Sequence, residues 1–233
     1  MKMIKSFIRF GVLLIVLASF TLPAVNVAAA NSNWVIGDFI GDQSFTFGGA
    51  PGWEVNYLWN TQQLAPVGQE FTPELPALNI VILEPFTCTV CAEQQWLQVV
   101  IRKNTIFGPI IGTSYAVQLD AANNETNTKF RFPTLVHLKP GDRYVIDVVP
   151  LMGNENSIVW YGEPGIDFYP GGNAIKQGQP VKDVDIWFEE GVIISTPNGV
   201  RDCHSNGWQF LLKPDNTPFK NQGECVRYVN KTK

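Results

Sequence analysis

The chain has 233 residues, of which 45% are hydrophobic, 12% aromatic and 16% charged, with 20 glycines, 16 prolines and a net charge of −4. That apolar content supports a packed core rather than a disordered chain, and the length suits one sandwich-sized domain with a small appendage. The acidity argues against nucleic acid or an anionic membrane surface as partner, because nothing supplies the basic footprint those partners need.

At the N-terminus Lys2, Lys5 and Arg9 precede an apolar run over residues 10–22, then Pro23 and the small residues Ala28, Ala29 and Ala30. This is the order of a secretory signal peptide, and the run is short for a membrane span, so residues 1–30 are expected to be removed after Ala30. Residues 31–233 would then form a secreted chain with a net charge of about −7 and no membrane span.

Residues 31–66 carry short apolar pieces at 34–36 and 44–47, cut by Gly37, Gly41, Gly48 and Gly49 in the texture of strands and turns. Trp53, Tyr57 and Trp59 form an aromatic cluster that reads as closing one end of a core. Residues 67–72, VGQEFT, predict a strand. Residues 77–83, ALNIVIL, predict another that is apolar on both faces and therefore central in its sheet. Leu97, Val99 and Ile101 alternate with Gln98, Val100 and Arg102. With the Cys88-Thr-Val-Cys91 tip between them, these two runs are expected to pair as antiparallel neighbours.

Gly108-Pro109 splits the next two apolar runs. Over residues 128–132 Phe130 and Phe132 face one way and Lys129 and Arg131 the other, as in a half-buried strand. Pro140-Gly141-Asp142 is a turn, since proline presets φ and glycine accepts positive φ. Tyr144, Ile146 and Val148 then alternate with Val145, Asp147 and Val149, and residues 157–161 and 185–188 predict the last two strands. Nine or ten short strands with almost nothing of helical period predict an all-β fold, a two-sheet antiparallel β-sandwich of jelly-roll type over residues 31–192. Residues 193–233 predict a small cysteine-stapled element, in which Thr217 caps and Pro218 starts a short helix, with Phe219, Val226 and Val229 packed on Trp208.

Cys88, Cys91, Cys203 and Cys225 in an exported chain read as disulfides. Of the three connectivities the local one is expected, Cys88 with Cys91 and Cys203 with Cys225. A redox or zinc role for the C-x-x-C spacing lacks its context. No strand-helix-strand pattern surrounds it, the second pair is not a C-x-x-C, and only His137 and His204 could add ligands. Asn124-Glu125-Thr126 and Asn230-Lys231-Thr232 match the glycosylation acceptor pattern.

The succession VGQEFTP, LQVVIRK, LKPGDRYVIDV, WYG with DFYPGGNA, and DVDIWFE resembles a jelly-roll domain of secreted and surface-attached bacterial proteins. It is similar to the galactose-binding-like, carbohydrate-binding-module type of sandwich, over about residues 42–189. The Gly68-Gln69-Glu70-Phe71-Thr72 strand, the Pro140-Gly141-Asp142-Arg143-Tyr144 turn and the Tyr169-Pro170-Gly171-Gly172 loop carry the likeness. The tail resembles a two-cysteine C-terminal element of other secreted bacterial proteins, through Cys203, Gly207-Trp208, residues 219–223 and Cys225-Val226. The resemblance implies an extracellular setting and a sugar ligand.

A carbohydrate site needs flat aromatic faces for the apolar side of a sugar and a few fixed polar groups for its hydroxyls. Trp160, Tyr161, Tyr169 and Trp187 are candidate faces, with Asp167, Asn173, Asp183 and Asp185 as polar partners. Tyr169 is expected to be exposed, because Pro170-Gly171-Gly172 cannot continue a paired strand. Asp183 and Asp185 are also candidate ligands for a structural calcium ion, with Asp38 and Asp42 a second pair. There is no G-x-S-x-G, H-E-x-x-H or phosphate-binding glycine loop. Glu189 and Glu190 are adjacent in sequence, which does not set two carboxyls across a cleft for glycoside hydrolysis. The expectation is a non-catalytic module binding an extracellular glycan or cell-envelope polymer. The alternatives are a structural or protein-interaction module, with the C-terminal element as contact, and a secreted polysaccharide-active hydrolase.

Overall fold

The computed structural model describes residues 35–45, 57–87, 95–119, 127–152, 158–164 and 168–232. The expected signal peptide, the Cys88 and Cys91 pair, Trp53 and Asp167 lie outside these residues, as do the side chains of Tyr57, Trp59 and Tyr161.

Eight strands build two facing sheets. The smaller is ordered β1 (Phe39–Phe45), β15 (Phe188–Ile193), β4 (Ala77–Leu83), β9 (Thr128–His137). The larger has β3 (Val67–Phe71), β10 (Tyr144–Met152), β6 (Gln95–Lys103) and β7 (Ile110–Thr113), extended by β12 (Ala174–Lys176) and β13 (Gln179–Val181) beyond β3 and by β8 (Val117–Leu119) on β6. The pairings are antiparallel throughout. Followed along the chain, the eight strands alternate between sheets except for the β6–β7 hairpin, which is the winding of a jelly roll. A third small sheet sets β2 (Tyr57–Asn60) on one edge of β11 (Ile158–Pro164), with β5 (Pro85–Thr87) and β14 (Val184–Ile186) end to end on the other.

Alternation of apolar side chains explains why these strands face each other. Phe130 and Phe132 of β9 point inward while Lys129 and Arg131 remain exposed. They join Leu78, Leu83 and Phe188 from the smaller sheet and Phe71, Leu97 and Ile146 from the larger in one buried cluster. Each such side chain contributes about 1.5–3 kcal/mol by leaving water. β4 lies between β15 and β9, as its two apolar faces predict.

Two sequence expectations are corrected. β4 and β6 are not neighbours: β4 pairs with β15 and β9 in one sheet, and β6 with β10, β7 and β8 in the other. Both runs are alternating and apolar, so the pattern fits a hairpin or a crossing between sheets equally well, and the short β5 that intervenes belongs to the third sheet. The run around residues 185–188 is also not one strand, because β14 ends at Ile186 in the third sheet and β15 begins at Phe188 in the smaller one. The turn at Pro140-Gly141 forms as read, with Gly141 at φ +80°.

Past Ile193 the chain forms two 3-10 turns, Val200–Cys203 and Gly207–Phe210, and one helix, α1 (Gln222–Thr232). The Cys203 to Cys225 disulfide joins the first turn to the helix. Thr217 is not the cap: its N–H and hydroxyl bond Asp215, while Asn221 Oδ1 accepts the Glu224 N–H at 2.9 Å and starts the helix. Cys225 and Val229, four apart, give α1 its buried face, and Phe219 is buried with its ring 5.5 Å from that of Tyr228. The element is fastened to the sandwich. Leu212 N–H donates to the Ser195 carbonyl, and His137 Nε2 of β9 donates to the Arg201 carbonyl at 3.1 Å.

Candidate functional site

The region richest in aromatic residues is mostly interior. Trp160 is 1% exposed, and its indole N–H donates to the Trp187 carbonyl at 2.7 Å. Tyr169, expected at the surface, is 6% exposed. Its ring meets Phe188 edge-on at 5.1 Å and its hydroxyl accepts the Thr72 N–H at 2.9 Å. Burial raises its pKa to about 12. Proline and glycine after Tyr169 do end strand pairing, but the turn they make folds the ring inward. Trp187 is half-buried against the core, beside a cleft of only about 10 Å³ between β4 and β15.

The polar candidates form a clasp. Asp185, 1% exposed, accepts the Phe168 and Tyr169 N–H groups on Oδ2 at 3.1 and 2.9 Å, and Gln69 Nε2 on Oδ1 at 3.0 Å. Gln69 Oε1 in turn accepts the Ile186 N–H at 2.8 Å, so β3, β14 and the loop before β12 are tied together. Asn173 is bound to β3 in the same way, its N–H and Nδ2 directed to Glu70 Oε2 and its carbonyl accepting the Glu70 N–H. Polar groups held like this define a loop conformation. Asp183 lies on a turn at φ +56° and pairs with Lys182 at the surface. Asp185 by contrast is buried, and among the described residues no three His, Cys, Asp or Glu side chains gather as a metal site. Asp42 bonds the Glu74 and Leu75 N–H groups, and Asp38 that of Val35.

Glu189 and Glu190 point to opposite sides of β15, as neighbours in a strand must. Glu190 is fully buried, and neither of its carboxyl oxygens receives a well-formed hydrogen bond from the chain. Burial, then the charge of Asp42 and a hydrogen bond to it, hold its pKa well above the ordinary carboxylate range, and the Gln43 amide offsets only part of this. Burial and the nearby Asp42 charge both favour the protonated form of Glu190.

A groove formed by described residues lies elsewhere. It has a volume of about 210 Å³ and runs between the outer side of the smaller sheet and the C-terminal element. Distant segments build it. Ser114 anchors its rim to β6, donating its N–H to the Val99 carbonyl at 2.8 Å and accepting the Val99 N–H on Oγ at 2.9 Å. The next residue, Tyr115, donates its N–H to the Arg131 carbonyl of β9 at 2.9 Å. The Tyr115 ring, 61% exposed, and the exposed Arg131 side chain thus share one mouth.

At the base, Asn79 exchanges both amide groups with the Ile193 backbone. From the opposite wall Asn198 reaches the Pro133 carbonyl. Asp202 Oδ2 accepts the Asn198 and Gly199 N–H groups at 2.8 and 3.1 Å and shapes that wall. Its Oδ1 is buried and receives no hydrogen bond.

Along the sequence Arg131 has the pattern of the wet face of a strand, and no motif singles out Tyr115, Asn198 or Asp202. The one local signal was Asn198-Gly199 with an aspartate three residues on, the chemistry of a turn closed by a carboxylate. No protein-family model matches this chain, and no curated protein matches it.

Proposed function

We propose that this protein is an exported, non-catalytic binding module that holds a saccharide of the cell envelope or surroundings in the groove between the smaller sheet and the C-terminal element. The jelly-roll winding and the Cys203 to Cys225 disulfide support the galactose-binding-like, extracellular reading of the sequence. The observation that carries the proposal is the pairing of Tyr115 and Arg131 by a backbone hydrogen bond at the mouth of the groove. An exposed phenol ring gives the apolar face of a sugar a flat surface. The guanidinium and the Asn198 amide give its hydroxyls directed donors. A volume of about 210 Å³ lies below the roughly 300–1,000 Å³ of drug-sized pockets and suits a single ring of a longer polymer.

The test is binding of residues 31–233 to a panel of polysaccharides by isothermal titration, with Tyr115→Ala alongside. Saturable binding weakened at least tenfold in the variant is the expected result. Absence of binding across the panel, or binding indifferent to Tyr115, overturns the proposal. A protein-interaction module is the second reading, favoured by Phe107 and Ile110, which are 70% and 55% exposed around the tip of the β6–β7 hairpin.

A further inference from the structure

We infer that the groove selects an acidic saccharide, one carrying a carboxylate beside its hydroxyls, with Arg131 as the residue that reads the carboxylate. This rests on the saccharide reading of the groove and goes beyond it by naming the ligand's charge. Arg131 is the only cationic side chain lining the groove, and no carboxylate pairs with it among the described residues. The contrast with Arg102 is direct, since that guanidinium is bound to Asp147 at 2.6 Å. A guanidinium presents a planar fork of donors that matches a carboxylate through two parallel hydrogen bonds, which neither a lysine nor a neutral hydroxyl reproduces.

Asp202 shapes the wall that faces Tyr115 and Arg131, at 3% exposure and with Oδ2 occupied by the Asn198 and Gly199 amides. The arrangement is a cation and an aromatic ring at the mouth of a groove with polar walls. It is complementary to a sugar acid, whose carboxylate and hydroxyls lie on one rigid ring.

The experiment titrates the protein with an oligouronate, with the same oligouronate methyl-esterified, and with a sulfated glycan of similar length. The variants are Arg131→Gln, Tyr115→Ala and Lys129→Gln, the last removing an exposed cation two residues away on the same strand. The expected result is that the free acid binds at least tenfold more tightly than its ester and than the sulfated glycan. Arg131→Gln should erase that preference, Tyr115→Ala should weaken acid and ester alike, and Lys129→Gln should change neither. Equal binding of acid and ester, both dependent on Tyr115, overturns the inference while the saccharide reading stands. Binding of nothing overturns both. A preference for the sulfated glycan, or equal losses from Lys129→Gln and Arg131→Gln, refutes carboxylate recognition by Arg131.

Discussion

The segment from Trp160 to Trp187 and the groove at Tyr115 and Arg131 are built on opposite plans. In the first, Trp160, Tyr169 and Asp185 are close in sequence and end up inside, with polar atoms held by strand and loop groups. In the second, one tyrosine, one arginine and a pair of polar residues come from segments as far apart as β7–β8, β9 and the C-terminal element, and they leave an open volume between them. Density of aromatic residues along a chain thus reports where the core of a sandwich closes. A binding surface arises where separate elements meet without filling the space.

The largest effect that bears on this contrast is in the core. Trp160→Ala removes a side chain that is 1% exposed and should cost about 3–5 kcal/mol in urea denaturation, whereas Tyr115→Ala should stay within about 0.5 kcal/mol of the parent. Equal effects would erase the distinction between interior and site. Next comes the staple. Cys203 and Cys225 are 22 residues apart, and removing both as alanines should cost about 3 kcal/mol in the chain-entropy model. Because the element forms one wall of the groove, ligand binding should fall in the same variant. Binding that survives loss of the staple would place the site wholly on the sandwich.

A smaller effect tests the buried acid. An unfolded glutamate ionises near pH 4.5, while Glu190 in the fold keeps its proton to a higher pH. The folded state therefore binds more protons between those two values, and stability falls as pH rises through that window. Glu190→Gln, which removes the ionisable group, should raise the melting temperature at neutral pH and leave acid stability little changed. Asp147, also raised by burial despite Arg102, slopes in the same direction, so the profile of the variant should flatten in part only. A variant less stable than the parent at neutral pH would mean that Glu190 is charged and held.

Much of the architecture was legible because it rests on periodicity. The bounds of β4 and the inward Phe130 and Phe132 follow from alternation alone, and the Gly141 turn from backbone sterics. Sheet membership was not, since β4 and β6 have the pattern of hairpin partners and are separated only by the winding of the jelly roll. Side-chain direction at chain breaks was equally hidden. Tyr169 precedes a proline and two glycines, yet the Asp185 carboxylate captures its amide and turns the ring into the core. Tyr115, Arg131 and Asp202 carry no mutual spacing that a linear reading could detect, because a backbone bond from the β7–β8 connection to β9 brings the first two together.

The most direct test of the account compares Tyr115→Ala with Tyr169→Phe in titrations with the same polysaccharide. Tyr115→Ala should weaken binding at least tenfold in a protein of normal stability. Tyr169→Phe, which loses only the acceptor for the Thr72 amide, should bind as the parent does while losing about 1 kcal/mol of stability. Binding lost in Tyr169→Phe and kept in Tyr115→Ala would contradict the account and return the site to the aromatic loops.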